Sequence, residues 1–196
     1  MIRQARVDDV PEIARLINGF ADSNLMLHRP VNQIYERLKD YVVVEEEDGE
    51  VAGCAALHVL WFDLAEICSV AVNSNYHGRG FGRLLVEHLL EDARVIRVHR
   101  VFMLALPEHA MAATARKLGF REESKQAFPQ KVWSDCLNCP KFTACDEIAL
   151  IIEVGPKLHS PHEWESVMSA YGDIAKLTAA LPKSSMTRET GTANNT

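Results

Sequence analysis

Hydrophobic and polar residues follow two simple periods along most of the chain. Alternation over residues 2–7 predicts a first strand. Asp9 and Pro11 then stand before apolar residues at steps of three and four, which predicts a helix. Two β-rich runs on either side of Asp48 and Gly49 predict a hairpin. The other predicted elements are, in chain order, a short helix after Pro30, a strand at 64–72, a helix through Leu85 and Ile96, a strand at 100–106, a helix at 107–120 and a last strand at 147–154.

This order of elements sets the expected fold class. Strands and helices in mixed order predict an α+β fold, that is, an α/β sandwich. We expect its central sheet to be mixed and mostly antiparallel, with helices flanking it. Residues 1–155 are assigned to this domain.

The C-terminal part of the chain has a different pattern. A capping box at residues 160–163 precedes apolar residues at helical spacing, so residues 156–181 are predicted to form an amphipathic helical extension. We expect this helix to pack on its own domain, and packing on a second copy in a homodimer is the alternative. Residues 182–196 are predicted to be disordered.

The composition narrows the classes of protein to which the chain can belong. Of 196 residues, 47% are hydrophobic, which is enough for a core, and the formal net charge of −6 argues against a nucleic-acid partner. No apolar run has the length of a membrane span and residues 1–10 lack a secretory pattern, so no membrane association is expected. Five cysteines, an odd number, fit a reducing compartment better than a disulfide framework. A cytoplasmic protein is therefore expected.

A glycine-rich segment stands directly before the helix that contains Leu85. Gly78, Gly80 and Gly82 occupy alternate positions, with arginines at positions 79 and 83. Unpaired N–H groups at a helix N-terminus bind anions, and glycine lets a phosphate approach the backbone. The segment lacks the Gly-Lys-Ser/Thr end of a Walker A loop, and its third glycine comes one residue too early for a dinucleotide fingerprint. The remaining interpretation of the segment as an anion site is a loop that binds the pyrophosphate of coenzyme A. The alternative is a turn with a purely structural role.

Three cysteines in the segment CLNCPKFTAC form a separate candidate site. Cys136 and Cys139 have the spacing of half a zinc site, but a second closely spaced pair is missing after Cys145. His159 or His162 would have to complete the ligand set. We therefore favour thiols that are reduced or that form a redox-labile disulfide, and we expect no required metal. The two other cysteines lie in apolar strands and are expected in the core.

The order of elements, the segment HGRGFG at 77–82 and the segment RKLGF at 116–120 resemble the GNAT superfamily of acetyl-CoA-dependent N-acetyltransferases. Gly80 and Gly82 match the superfamily's loop pattern Gln/Arg-x-x-Gly-x-Gly/Ala, and His77 stands where that pattern has Gln or Arg. The resemblance covers the assigned domain and implies a GNAT-like fold with acetyl-CoA as co-substrate. It nominates as cofactor-binding residues Val70, Val72, His77, Gly78, Arg79, Gly80, Gly82 and Arg83.

Four longer phrases resemble N-acetylglutamate synthase in the short form that lacks an amino-acid-kinase-like domain. They are MLHRP at 26–30, DYVVVEEEDGEVAGCAAL at 40–57, AEICSVAV at 65–72 and KVWSDCLNCPKF at 131–142. This resemblance implies transfer of an acetyl group from acetyl-CoA to the α-amine of L-glutamate or a related amino acid, the entry step of arginine biosynthesis. Arg29 and Lys131 lie in these phrases, and we nominate them for the two carboxylates of the substrate.

The resemblance also implies how the reaction is catalysed. An amine attacks a thioester only after it loses a proton, and Glu66 lies in the strand before the loop, where several family members place a catalytic glutamate. We nominate Glu66 as the base, the alternative being a side chain that points into solvent. Backbone N–H groups near Val70 and Val72 are expected to stabilise the oxyanion. Many relatives protonate the leaving thiolate with a tyrosine where this chain has Ala115, so the acid is left unassigned.

Two other functions stay open from the sequence. One is an acetyltransferase of another amine, such as a protein N-terminus, a lysine or a small amine. An open acidic groove would favour that function, and an enclosed cationic pocket would disfavour it. The other is a coenzyme A-binding module without turnover, which the missing tyrosine favours.

Overall fold

The structure is a computed structural model that describes residues 1–128, 133, 135–139 and 144–156. All of these residues belong to one unit, Met1–Leu158. The predicted C-terminal helix and tail lie outside the described residues, and so does Lys131.

Most helices and strands lie where the periodicity of the sequence predicts them. The first strand ends at Gln4 and not at residue 7, since residues 7–9 form a 3₁₀ turn, and the short strand at residues 121–123 was not predicted. The strands are β1 (Ile2–Gln4), β2 (Tyr41–Glu45), β3 (Val51–Trp61), β4 (Leu64–Val72), β5 (Arg100–Ala105), β6 (Arg121–Glu123) and β7 (Ile148–Glu153). The helices are α1 (Val10–Asp22), α2 (Val31–Glu36), α3 (Phe81–Val95) and α4 (Ala110–Lys117). Gly119 ends α4 as predicted, since its φ of +96° stops the helix. None of the described helices is long and apolar enough to cross a membrane.

The described strands form one sheet in the order β1-β2-β3-β4-β5-β7-β6. Neighbouring strands are antiparallel except for β4 and β5, which are parallel. Parallel neighbours need a crossover connection, and α3 lies in the connection between these two strands. The predicted α+β fold with a mixed, mostly antiparallel sheet is confirmed.

Helices cover both faces of the sheet. Ile67 of β4 belongs to the core formed with α3 and α4, whereas Cys68 and Ala71 pack in the core formed with α1. Because both faces are covered, β2 is buried from Tyr41 to Val44 and β3 is buried from Val51 to Leu57, and neither stretch contains a charged residue. From His58 onward, β3 loses this cover, and half-buried and exposed residues alternate.

Asp9 stands at the start of α1 but does not cap the helix with its side chain. Its carboxylate accepts two hydrogen bonds from the Arg3 guanidinium, at 2.7 and 2.9 Å, and one from the Arg6 N–H at 2.6 Å. The same guanidinium binds Glu45 of β2. The Arg3 hydrogen bonds hold the pKa of the Asp9 carboxyl below its usual value. The predicted helix start is right, but the carboxylate binds Arg3 of β1, because a cation within reach is a stronger partner than a helix N–H.

An irregularity in β4 shapes the surface beside it. The register with β3 shifts after Cys54, so that Ser69 and Val70 together face a single residue, Ala55. Ser69 has a φ of +54°, which is uncommon for a residue other than glycine. This extra residue is a β-bulge, and a bulge bends its strand and changes the direction of the side chains on it.

Candidate active site

The sheet opens between β4 and β5. Residues 64–66 pair with residues 100–102, and within the described residues this pairing ends at Glu66 and Phe102. From there β5 continues only beside β7. The edge of β4 beyond Glu66 therefore faces a gap in the sheet.

Two cavities lie along this part of β4. Residues 66–69 line a cavity of about 300 Å³, here called the Glu66 cavity. Val70 and Val72 line a second cavity of about 480 Å³, here called the glycine-loop groove. Met26, in the connection between α1 and α2, lines both. The two cavities therefore adjoin each other along β4.

The glycine-loop groove is bounded by β4, the end of α1 and the N-terminal ends of α3 and α4. Seven of the eight residues nominated for the cofactor line it, namely Val70, Val72, His77, Gly78, Gly80, Gly82 and Arg83. Arg79 is not among them. Its guanidinium lies over the rings of Tyr76 and Phe81 and 3.1 Å from a carboxylate oxygen of Glu46.

The three glycines of the loop are required for different reasons. Gly78 and Gly80 have φ values of +80° and +83°, and no other group lies within 4 Å of a Cβ built there. Their backbone conformation, not the space around them, therefore favours glycine. A Cβ at Gly82 would lie 3.2 Å from Cε of Met111, so this glycine lets α3 pack close to α4. The first N–H groups of α3 have no intrahelical partner and are available to a phosphate.

The backbone N–H and C=O groups of Val72 do not pair with β3. The Asn73 N–H donates to the Ala52 carbonyl at 2.9 Å, and Val72 faces Gly53. Because bonded and non-bonded pairs alternate in an antiparallel ladder, the N–H and C=O of Val72 point away from β3, toward the gap. His77 Nε2 donates to the Val72 carbonyl at 2.9 Å. The loop histidine thus fixes the end of β4.

The Glu66 cavity contains charged side chains of both signs. Arg29 and Lys125 contribute cations, and Glu66 and Glu147 contribute carboxyl groups. The remaining walls include the apolar side chains of Met26, Leu104 and Trp133 and the thiols of Cys68, Cys136, Cys139 and Cys145. An amino acid carries both an amine and a carboxylate, and a cavity with both signs of charge has partners for each.

Glu66 is half-buried and stands at the last position of β4 that pairs with β5. Directly opposite on β3 stands His58, whose Nδ1 lies 2.6 Å from Oδ2 of Asp40. Glu66 lines the cavity that bears its name. A carboxylate in this position can take a proton from a ligand bound there.

The backbone of Arg29 is held by Asn18 of α1. The Arg29 N–H donates to Asn18 Oδ1 at 2.9 Å, and Asn18 Nδ2 donates to the Arg29 carbonyl at 3.2 Å. Near this arginine the phenol of Tyr41 is buried, and burial raises the pKa of Tyr41 to about 12. Tyr41 is therefore neutral at physiological pH and adds no negative charge beside Arg29. Lys131, the other nominated cation, lies outside the described residues.

Several members of the site were not identified from the sequence. Lys125 and Glu147 lie in no quoted phrase, and no periodicity distinguishes them from other surface charges. Ala115 is fully buried in α4, so its side chain does not reach the groove. Among the described residues, no group of three or more His, Cys, Asp or Glu side chains is arranged to hold a metal ion.

Comparison with known proteins identifies the family of the chain. The Acetyltransferase (GNAT) family matches residues 10–120 of the chain. An uncharacterized N-acetyltransferase of Chlorobaculum tepidum is 40% identical over 150 residues, which are 76% of this chain and 94% of that protein. An amino-acid acetyltransferase of Mycobacterium tuberculosis is 42% identical over 106 residues, which are 53% of this chain and 60% of that protein.

A solved structure is similar in fold. N-acetylglutamate synthase from Neisseria gonorrhoeae, complexed with coenzyme A and N-acetyl-glutamate, matches with a TM-score of 0.70 and 26% sequence identity. The match covers 80% of this chain and 35% of the synthase. The chain therefore spans 60% of the Mycobacterium relative and about a third of the Neisseria synthase. Since the family match at residues 10–120 contains β4 and the whole glycine loop, the chain belongs to the acetyltransferase (GNAT) family.

Proposed function

We propose that the protein transfers the acetyl group of acetyl-CoA to the α-amine of L-glutamate or a closely related amino acid, as the entry step of arginine biosynthesis. The observation that carries this proposal is the position of Glu66, beside the gap in the sheet and in a small cavity that also holds two cations. Relatives named amino-acid acetyltransferase and N-acetylglutamate synthase support the choice of acceptor.

Acetyl-CoA is proposed to bind in the glycine-loop groove. Its pyrophosphate accepts hydrogen bonds from the first turn of α3, and the exposed Arg83 adds positive charge there. Its pantetheine arm lies along Val70 and Val72, where the edge of β4 faces the gap left by β5. This path brings the thioester to the bulge at Ser69, next to the Glu66 cavity.

In the proposed reaction, Glu66 takes a proton from the ammonium group of the acceptor. The amine nitrogen then attacks the carbonyl carbon of the thioester, and a C–N bond forms. The oxyanion accepts hydrogen bonds from the backbone N–H groups near Val70 and Val72. The C–S bond breaks, and coenzyme A leaves as a thiolate. The acetylated nitrogen releases its second proton, which the thiolate takes up, and Glu66 returns the first proton to solvent, so the products are the neutral amide and the coenzyme A thiol. A thiol with a pKa of about 8.5 is a good leaving group, so Ala115 in place of a tyrosine does not prevent the reaction.

The charges of the Glu66 cavity favour an amino acid over other amines. Arg29 and Lys125 can each form an ion pair with one carboxylate of glutamate, and Glu66 can accept a proton from its ammonium group. A protein N-terminus or a lysine side chain has no carboxylate beside its amine that Arg29 or Lys125 could bind. The structure thus supports the amino-acid acceptor more than the alternative amines.

Replacement of Arg29 tests the acceptor. We expect Arg29→Ala to lose a charge-assisted hydrogen bond of ~1.5–3 kcal/mol, which lowers kcat/KM for L-glutamate roughly ten- to a hundredfold. Coenzyme A affinity should not change, since Arg29 does not line the glycine-loop groove. Lys125→Ala should behave similarly, and the nominated Lys131 can be tested by the same substitution.

Arg15→Ala is the matched control for this experiment. Arg15 is an exposed arginine of α1 that forms an ion pair with Glu12, away from both cavities. Steady-state assays of L-glutamate and L-glutamine with each variant give the comparison. Equal kcat/KM values for glutamate in Arg29→Ala and Arg15→Ala would contradict a carboxylate-binding role for Arg29.

A further inference from the structure

Cysteines from the segment between β6 and β7 form part of the wall of the Glu66 cavity. Cys136, Cys139 and Cys145 all line it together with Glu66. Within the described residues, the five cysteines of the chain are present as thiols and not as disulfides. None of these three thiols takes part in the chemical steps of the proposed acetyl transfer, so their place at the cavity needs a separate explanation.

Cys136 and Cys139 are held close together by the backbone. Residues 135–138 form a short 3₁₀ turn, and the Cys139 N–H donates to the Cys136 carbonyl at 2.9 Å. In a turn closed by such a bond, the first and fourth Cα atoms lie within about 7 Å of each other. Disulfides join cysteines whose Cα atoms are about 4.4–6.8 Å apart. The local backbone is therefore compatible with a disulfide between these two residues.

Cys145 is different from this pair. It is exposed, it is not part of the turn, and its sulfur accepts a hydrogen bond from Lys125 Nζ at 3.1 Å. Cys54 differs from all three, because it is buried in the core beside α1. Burial raises the pKa of the Cys54 thiol to about 12, so it provides an unreactive reference within the same chain.

We propose that Cys136 and Cys139 form a dithiol site for thiol–disulfide exchange with low-molecular-mass disulfides of the glutathione type, and that its oxidation state changes the acceptor side of the Glu66 cavity. The second half of this proposal rests on the proposed function, in which this cavity binds the acceptor. The first half depends only on the turn and on the accessibility of its thiols.

The exchange proceeds in two balanced steps. The Cys139 thiolate attacks one sulfur of glutathione disulfide, forms a mixed disulfide and releases one glutathione thiolate. Cys136 then attacks the Cys139 sulfur as a thiolate, forms the Cys136–Cys139 disulfide and releases the second glutathione. Each glutathione thiolate is protonated in solution, and the two cysteine protons are released. Burial raises the pKa of the Cys136 thiol to about 11, so little of it is thiolate at neutral pH, and Cys136 is placed in the second, intramolecular step.

Oxidation alters the cavity wall near Glu66. The two sulfurs move to a bond length of about 2.05 Å and lose both S–H donors. We expect the KM for L-glutamate to rise about two- to tenfold, the range that corresponds to one lost hydrogen bond. Coenzyme A affinity should stay unchanged, since neither cysteine lines the glycine-loop groove.

The test is a redox titration of the full-length protein in glutathione buffers, followed by peptide mass mapping of disulfides. We expect a Cys136–Cys139 disulfide that dithiothreitol reverses, while Cys54 stays unmodified. Cys145→Ser is the matched control and should form the same disulfide, whereas Cys139→Ser should form none. A wild-type protein that stays reduced, or that forms its disulfide with Cys145 instead, would overturn the proposed pair.

Kinetic measurement separates this inference from the proposed function. Disulfide mapping needs no substrate, so it decides the dithiol site even if L-glutamate is not acetylated. Where L-glutamate is acetylated, KM is compared between the oxidised and reduced wild type, and coenzyme A affinity is measured on both by calorimetry. A disulfide that forms without any change in KM would overturn the link to the acceptor side of the cavity.

Discussion

A Gly80→Asp protein is expected to bind coenzyme A at least about a hundredfold more weakly than the wild type, since two lost charge-assisted hydrogen bonds of ~1.5–3 kcal/mol each reach that factor. Gly80 lies directly before α3 with a φ of +83°. An aspartate there adds a negative charge at the proposed pyrophosphate position. Its carboxylate also competes for the first N–H groups of the helix, since aspartate is a favoured residue at a helix start.

The backbone strain of this substitution needs its own control. Gly49→Asp is matched, because Gly49 has a φ of +86°, has no neighbour within 4 Å of a built Cβ, and lies in the β2–β3 turn. Both variants are compared by calorimetric titration with coenzyme A and by thermal unfolding. Gly49→Asp should lose stability without losing affinity. Wild-type affinity in a folded Gly80→Asp protein would show that the glycine loop does not hold the cofactor.

Replacement of Glu66 by glutamine is expected to lower kcat by ~10²-fold or more, the usual contribution of a general base. Glutamine keeps the shape of the side chain and its place at the end of the β4–β5 pairing, but it cannot accept the proton. Coenzyme A affinity should be retained, since Glu66 lies outside the glycine-loop groove. If Glu66 is the base, kcat/KM of the wild type is expected to fall at low pH, where the base is protonated, and this acidic limb should flatten in the variant.

Glu147→Gln is the control for Glu66→Gln. Both carboxyl groups line the same cavity, but Glu147 stands just before β7 and not on β4. Both substitutions remove one negative charge from the cavity, but Glu147→Gln should lower kcat far less than Glu66→Gln does. Normal turnover of Glu66→Gln across the pH range would mean that another group deprotonates the amine.

The elements of this fold could be predicted because their signals are local. The strand predicted at 64–72 is observed with the same bounds, since its length and its apolar residues are properties of that segment alone. The partner of the Asp9 carboxylate could not be predicted. That partner is Arg3 of β1, and the pairing of β1 with β2 also brings Glu45 to the same guanidinium.

The candidate site could be predicted from the sequence only in part, because only some of its residues belong to a local pattern. The glycine loop is one continuous segment, and its residues were nominated together. The Glu66 cavity joins segments far apart in the chain, from Arg29 through Glu66 to Lys125 and Glu147. No local pattern indicates which surface lysine reaches such a cavity. The bulge at Ser69 was likewise not foreseen, because it is defined by the register with β3.

The proposed reaction is acetyl transfer from acetyl-CoA to the α-amine of an amino acid. The most direct measurement is an acceptor panel of the protein amino acids, small amines and a peptide with an unblocked N-terminus. Release of the coenzyme A thiol is followed, and each product is identified by mass spectrometry. We predict thiol release with L-glutamate or a closely related amino acid as the best acceptor, and a product with one acetyl group on its α-amine. Acetylation of only the peptide or the small amines, or binding of acetyl-CoA without turnover of any acceptor, would contradict the claim.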